Sequence, residues 1–166
     1  MICTLSKHEA EQQGFTDSLM LDHEGNVAEA TGANVFFKDS EGSLHTPTPD
    51  SFLDGITRRT VIEIAKSKKI KVIERKISPD ELSKFVGCFL TGTAAEVTPV
   101  SCIDKYTFKV CNTILDLNES YQLLVRKKKQ LNFFRLQILR DLSLLLYIHS
   151  LCTKLKMQKT IIELFR

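Results

Sequence analysis

The sequence has no tryptophan, only four prolines and seven glycines in 166 residues, and five cysteines with no paired spacing. Each shortage excludes something. So little proline and glycine rules out a collagen-like or low-complexity chain. Cys3, Cys88, Cys102, Cys111 and Cys152 form no CxxC, and His8, His23, His45 and His149 are scattered, so no zinc-ligand spacing exists and no metal site is expected. An odd number of isolated cysteines fits reduced thiols in a cytoplasmic protein. The longest apolar run, residues 142–152, is broken by Ser143, His149 and Ser150, and falls short of the roughly 20 apolar residues that a membrane-spanning helix needs. Residues 1–5 run straight into Ser6-Lys7-His8-Glu9, so no signal peptide is expected.

What is present is an ordinary globular composition: 43% hydrophobic and 26% charged residues, enough apolar surface for a sizeable core. The length suggests one domain. The net charge of +3 conceals an asymmetry. Residues 1–125 carry 13 Lys and Arg against 18 Asp and Glu, whereas residues 126–166 carry 10 against 2. An acidic body therefore precedes a basic, Leu- and Lys-rich tail without Gly or Pro. We divide the chain at this break, into residues 1–126 and a tail, 127–166, expected to be helical or disordered. Lys127-Lys128-Lys129 lacks the aromatic interleaving that would support a nucleic-acid partner, and none is expected.

Along the body, residues 2–13 read as a helix stopped by Gly14. Residues 18–22 and 27–29 flank the turn His23-Glu24-Gly25-Asn26, a hairpin signal. Residues 35–38 and 43–46 make a second hairpin around Asp39-Ser40-Glu41-Gly42. The loop TPTPDSFLDG then leads into an amphipathic helix over 56–68, with Ile56, Val61, Ile64 and Ala65 at helical spacing. Residues 71–77 are predicted as a strand. Ser78-Pro79-Asp80-Glu81 has the chemistry of a helix start: Ser to cap, Pro in the first turn, acids to complement the dipole. Residues 87–90 form a strand, 91–94 a turn of small residues, 97–103 an extended stretch and 113–126 a helix.

Two segments have the make-up of a binding site. LDGIT opens the helix over 56–68, and LTGTAAE follows the strand at 87–90. Glycine lets backbone amides approach a ligand, and the free N–H groups of a helix start favour a phosphate. We expect both turns to open towards helical geometry, with hydroxyls from Thr57 and Thr93. Arg58 and Arg59 lie in the first turn of the helix, where the dipole disfavours cations, a conflict that a bound anion would reduce. The same strings also serve as ordinary strand-to-helix turns with solvated arginines. Glu29, at the end of a short apolar strand, is either a solvated carboxylate or one aimed into a pocket, and nothing local decides between them.

Taken together, GFTDSLMLDHEGNVAEATGANVFF, LHTPTPDSFLDGITRRTVIEIAKSKKIKVIERKIS and FLTGTAAEVTPV, in this order over residues 6–126, resemble the fold-type IV, pyridoxal-phosphate-dependent aminotransferases, and within them the branched-chain amino acid aminotransferases. The resemblance implies an α/β fold: the larger C-terminal domain of that family, a barrel-like body of mixed sheet with flanking helices. It implies pyridoxal 5'-phosphate as cofactor. Glu29 matches the glutamate that pairs with the pyridine nitrogen and keeps it protonated. Leu53 matches the apolar residue on the ring, Ile56 and Thr57 the phosphate-binding helix start, Thr93 a second phosphate contact, and Asn34 a position close to the cofactor-side loop. Thr93 and Ala94 match backbone groups near the substrate carboxylate. The implied partners are an amino acid, a 2-oxo acid and further copies of the same chain.

The departures matter as much. The family's Schiff-base lysine lies on a segment just N-terminal to these residues, and Lys7 is not it, so no catalytic residue is expected among the 166. The smaller N-terminal domain, which supplies an arginine to the phosphate, is likewise not represented, and a separate fragment carrying it would be a natural partner. Ala33 stands where many relatives carry Glu. The implied activity is transfer of the amino group of Leu, Ile or Val to 2-oxoglutarate, with little or no cofactor binding or turnover by these residues alone. A D-amino acid aminotransferase or an aminodeoxychorismate lyase shares the fold, and a non-catalytic product of a decayed or split gene is the remaining alternative.

Overall fold

The computed structural model describes residues 2–126, so expectations for the basic tail lie outside the described residues. The fold presented here belongs to the compact unit Met1–Leu123. Helix α1 spans Ile2–Gln12 and ends at Gly14, whose φ of +85° suits a residue without a side chain. Strands β1 (Leu19–Leu21) and β2 (Val27–Ala30) form an antiparallel ribbon. Its turn is closed by Asp22 Oδ1, which accepts from the Glu24 and Asn26 amides at 2.9 Å each.

The main sheet has the order β5-β4-β3-β6-β7, with β3 at Asn34–Lys38, β4 at Leu44–Thr46, β5 at Val72–Glu74, β6 at Gly87–Gly92 and β7 at Glu96–Val100. It is mixed: β4 and β5 run parallel, joined by helix α2 (Ile56–Ser67), and the other pairs are antiparallel. A second ribbon pairs β8 (Cys102–Ile103) with β9 (Tyr106–Thr107), and helix α3 spans Asn112–Val125. The α/β class, the mixed sheet and the flanking helices are as the sequence implied.

The central strands β3 and β6 are buried almost throughout, because the sheet is covered on both faces. Successive side chains of a strand point to opposite faces. Phe37 and Cys88 therefore join Val27, Val35, Ile77, Leu82, Phe85 and Phe108 in one core cluster, while Phe36 stacks on Phe89 at 4.9 Å with nearly parallel rings on the other side. Helix α2 packs against β6 and β5. The backbone bond from Val27 N–H to the Ile77 carbonyl (2.8 Å) fastens the first ribbon to the segment after β5.

Several local expectations need amendment. The helix start at Ser78 exists, with a full capping box between Ser78 and Glu81, but it opens a 3-10 turn over Pro79–Lys84. The extended stretch at 97–103 is divided between β7 and β8, and β9 had no strong signal at two residues' length. The turn in LTGTAAE does not open a helix: it closes the hairpin between β6 and β7, with Thr93, Ala94 and Ala95 at its tip.

Candidate functional site

The site is organised by one side chain. Asn34, the first residue of β3, is buried and has its backbone held opposite Thr91 of β6. Its amide Nδ2 donates to Glu29 Oε2 at 3.2 Å and to the Leu53 carbonyl at 2.8 Å, while its Oδ1 accepts from Gly55 N–H at 3.2 Å. Three of the expected residues (Glu29, Asn34 and Leu53) are thereby brought together, and Gly55 places Ile56 and Thr57 directly beside them. The turn between β2 and β3 is set by the Ala30 N–H, which donates to the Ala33 carbonyl at 2.8 Å and folds Glu29 back towards Asn34.

Glu29 is half-buried, and burial raises its carboxyl above the usual range. Such a group is a better proton holder than an exposed glutamate and suits pairing with a protonated heterocycle. The carboxylate is partly shielded from water and receives one hydrogen bond, from Asn34 Nδ2.

The start of α2 is chemically bare. Its first intrahelical bond runs from Arg59 N–H to the Gly55 carbonyl at 3.0 Å, so the Ile56, Thr57 and Arg58 amides lack helical partners, and no side chain caps them. The Thr57 hydroxyl lies 3.4 Å from the Tyr121 hydroxyl and is buried against α3. Leu53 and Ile56 flank these amides as exposed apolar side chains, at 77% and 78% of full accessibility. Ile56 therefore does not belong to the packed stripe of α2, where helical spacing placed it. Free amides next to exposed apolar carbons suit a ligand that has both an anionic group and a flat apolar body. Pyridoxal phosphate is such a ligand, and the residues present fit it: amides for the phosphate, Leu53 for the ring and Glu29 for the ring nitrogen.

Arg58 is neither solvated nor available to an anion. It is 1% exposed; Nη1 donates to Asp54 (2.8 Å), Nη2 to Glu74 (2.7 Å) and to the Pro47 carbonyl (2.9 Å), and Nε to Thr46 Oγ1 (3.4 Å). The two carboxylates resolve the conflict with the helix dipole that the sequence suggested a bound anion would resolve. Arg59 is mostly exposed and reaches Asp54 only at 3.8 Å. Arg58 thus ties together β4, β5 and the loop leading to Gly55. That role was missed from sequence, although Asp54 and Arg58 stand at the i, i+4 spacing of a helical ion pair.

Thr93 and Ala94 are exposed at the tip of the β6–β7 hairpin. They stand on the same side of the fold as Asn34, because Thr91 is its cross-strand partner. Close packing fixes their approach: a Cβ on Gly92 would come within 3.2 Å of the Gly32 carbonyl and 3.3 Å of Ala33 Cβ. The tip therefore rests on the β2–β3 turn and extends the same edge. No bond links Thr93 or Ala94 to the α2 start among the described residues. Those residues also hold no group of His, Cys, Asp and Glu fit for a metal ion, and no helix long and apolar enough to cross a membrane.

The family model for class IV amino-transferases matches residues 1–103. A probable branched-chain-amino-acid aminotransferase of Rickettsia typhi is 45% identical over 126 residues, covering 73% of this chain and 43% of the relative. The branched-chain-amino-acid aminotransferase of Pseudomonas aeruginosa is 41% identical over 100 residues, covering 60% of this chain and 32% of the relative. Among solved structures, the branched-chain aminotransferase of Thermoproteus uzoniensis with norvaline superposes with a TM-score of 0.73 at 36% identity, over 76% of this chain and 43% of that one. The branched-chain amino acid aminotransferase of Thermobaculum terrenum in its PLP-form does so with a TM-score of 0.71 at 36% identity, over 74% and 41%. The chain thus spans less than half the length of these relatives, and it belongs to the class IV amino-transferase family.

Proposed function

We propose that residues 2–126 are the cofactor-binding part of a pyridoxal-phosphate-dependent aminotransferase acting on branched-chain amino acids. The observation that carries this reading is the Asn34 junction, which sets a half-buried carboxylate beside an uncapped helix start. The relatives' names, all of branched-chain enzymes, favour that substrate class over the D-amino acid and aminodeoxychorismate alternatives.

In this reading, the bound cofactor supplies an electron-accepting ring that eases bond cleavage at the amino acid's α-carbon. The chain's own residues bind and orient it. The Ile56 and Thr57 amides would take the phosphate at the positive end of α2, and Thr93 would add a second contact from the hairpin tip. Leu53 would cover one face of the ring. Glu29 would hold a proton at the ring nitrogen. Thr93 and Ala94 would offer backbone groups to the substrate carboxylate. The lysine that carries the proton in the family matches no residue among these 166, so we expect the polypeptide alone to be inactive and to require a segment supplying that lysine and the phosphate arginine.

The test is reconstitution. The chain is mixed with, or fused behind, the N-terminal portion of a relative, and leucine-dependent formation of glutamate from 2-oxoglutarate is measured. The proposal expects turnover from the combination and none from either piece. Turnover by the chain alone at ordinary aminotransferase rates, or strict selection for D-amino acids by the combination, would contradict it.

A further inference from the structure

The Asn34 carboxamide has two N–H donors and one oxygen, and every one of these groups is used within the chain. The donors go to Glu29 Oε2 and the Leu53 carbonyl, and the oxygen receives the Gly55 amide. No donor is left to contact a ligand. Glu29 Oε1, by contrast, has no partner among the described residues, so the bond from Asn34 fixes the carboxylate while leaving one oxygen free. Asn34 itself sits in a buried position of a central strand, so its amide has little room to move.

Gly55 gives an independent sign of the same arrangement. Its φ of −63° and ψ of 145° suit any residue, so backbone freedom does not explain a glycine there. Space does: a Cβ would clash with Asn34 Oδ1. Residue 55 must be bare for the Asn34 amide to reach the cap of α2. The two residues form a matched pair, separated by 21 positions in the chain.

We propose that Asn34 is a positioning residue, not a cofactor ligand: one carboxamide locks the Glu29 carboxylate and the start of α2 into a fixed relation, with Gly55 as its steric counterpart. This rests on the cofactor reading above for what the locked parts bind. If both ends of a rigid cofactor are gripped by this chain, the separation of carboxylate and helix start must be held before binding, and Asn34 holds it.

The test uses the full chain with 13C-labelled Glu. The titration of the Glu29 carboxyl is followed by NMR, and amide hydrogen exchange is read at Gly55. In N34A, Glu29 loses a donor to its charged form, so its midpoint rises by roughly 0.5–1 pH unit, and Gly55 exchange speeds by roughly two- to tenfold. In N34D an acceptor for Gly55 remains but a like charge faces Glu29. Gly55 exchange then stays within about twofold of wild type, while the Glu29 midpoint rises further than in N34A. In G55A the added methyl displaces the amide, and the midpoint moves in the same direction as in N34A. Val61→Ala, a cavity in the packed face of α2, controls for lost stability and leaves the midpoint unchanged. An unmoved midpoint in both N34A and N34D, or an equal shift in V61A, overturns the inference. Failure of the chain, reconstituted with the N-terminal portion of a relative, to bind pyridoxal phosphate, with the N34A and N34D responses intact, would instead overturn the cofactor reading.

Discussion

Replacing Arg58 with alanine tests how the site is braced. The guanidinium is all but inaccessible and makes four hydrogen bonds, two of them to carboxylates. Removing it leaves the Pro47 carbonyl and the Thr46 hydroxyl short of a donor in a buried place, and each such loss costs about 1–3 kcal/mol. The lost side-chain volume adds to that cost. The carboxylates temper it: Asp54 and Glu74 remain 39% and 43% exposed and can return to water. The total should therefore fall near the lower end of the 3–5 kcal/mol typical of breaking a buried ion pair, at about 3 kcal/mol. Arg58→Lys keeps the charge but loses the fork, and should lose roughly half as much. Removing one exposed partner, as in Glu74→Gln, should cost ~1 kcal/mol or less. Urea denaturation gives these values, and hydrogen exchange at Gly55 reports whether the loop before α2 loosens with them. A loss below ~1 kcal/mol for Arg58→Ala would show that the buried network does not hold the helix start.

Other outcomes follow from the same structure. Phe89→Ala should cost ~3–4 kcal/mol, since a fully buried ring stacked on Phe36 leaves a cavity in a sheet that cannot collapse, and urea unfolding would show a smaller value as readily. The Arg75 guanidinium holds the Glu81 carboxyl down to about 2, from an ordinary 4.5. A depressed folded value means that this stability is complete above about 4.5 and is lost as pH falls through about 2, so Glu81→Gln should flatten the acid limb of a stability–pH curve over that window and leave its neutral region parallel to wild type. Burial raises the Cys88 thiol well beyond the ordinary range, so in the native state it should resist a thiol reagent that labels the exposed Cys102. Equal labelling of the two would mean that the core opens readily.

Much of this architecture was legible in the sequence because local chemistry and tertiary context agree. Gly14 stops α1 where a left-handed residue is needed, Gly25 stands in the first turn, and Ser78 caps the turn that Pro79 opens. Glu29, Leu53, Ile56 and Thr57 could be singled out because separated motifs stood in one register, and the fold brings them to one end of the sheet. Where sequence reasoning failed, a non-local partner decided. Ile56 has the spacing of a core residue, but as the first residue of α2 it is left exposed. Arg58 reads as a surface cation until Glu74, 16 residues away, is folded against it. The LTGTAAE string resembles a helix start in its small residues, yet β7 returns alongside β6 and makes it a hairpin. Gly55 looked like a loop punctuator, and only the position of the Asn34 oxygen reveals why nothing larger fits.

The central claim is that this chain carries the binding half of a pyridoxal phosphate site, and a direct titration tests it. The purified chain is titrated with pyridoxal phosphate, followed by absorbance and competition with inorganic phosphate, and then treated with borohydride for mass spectrometry. The account predicts weak, reversible binding that inorganic phosphate displaces, that falls about tenfold in Glu29→Gln, and that leaves no specific adduct. Binding that inorganic phosphate does not displace and Glu29→Gln does not weaken, or a stoichiometric adduct on Lys7, would contradict it.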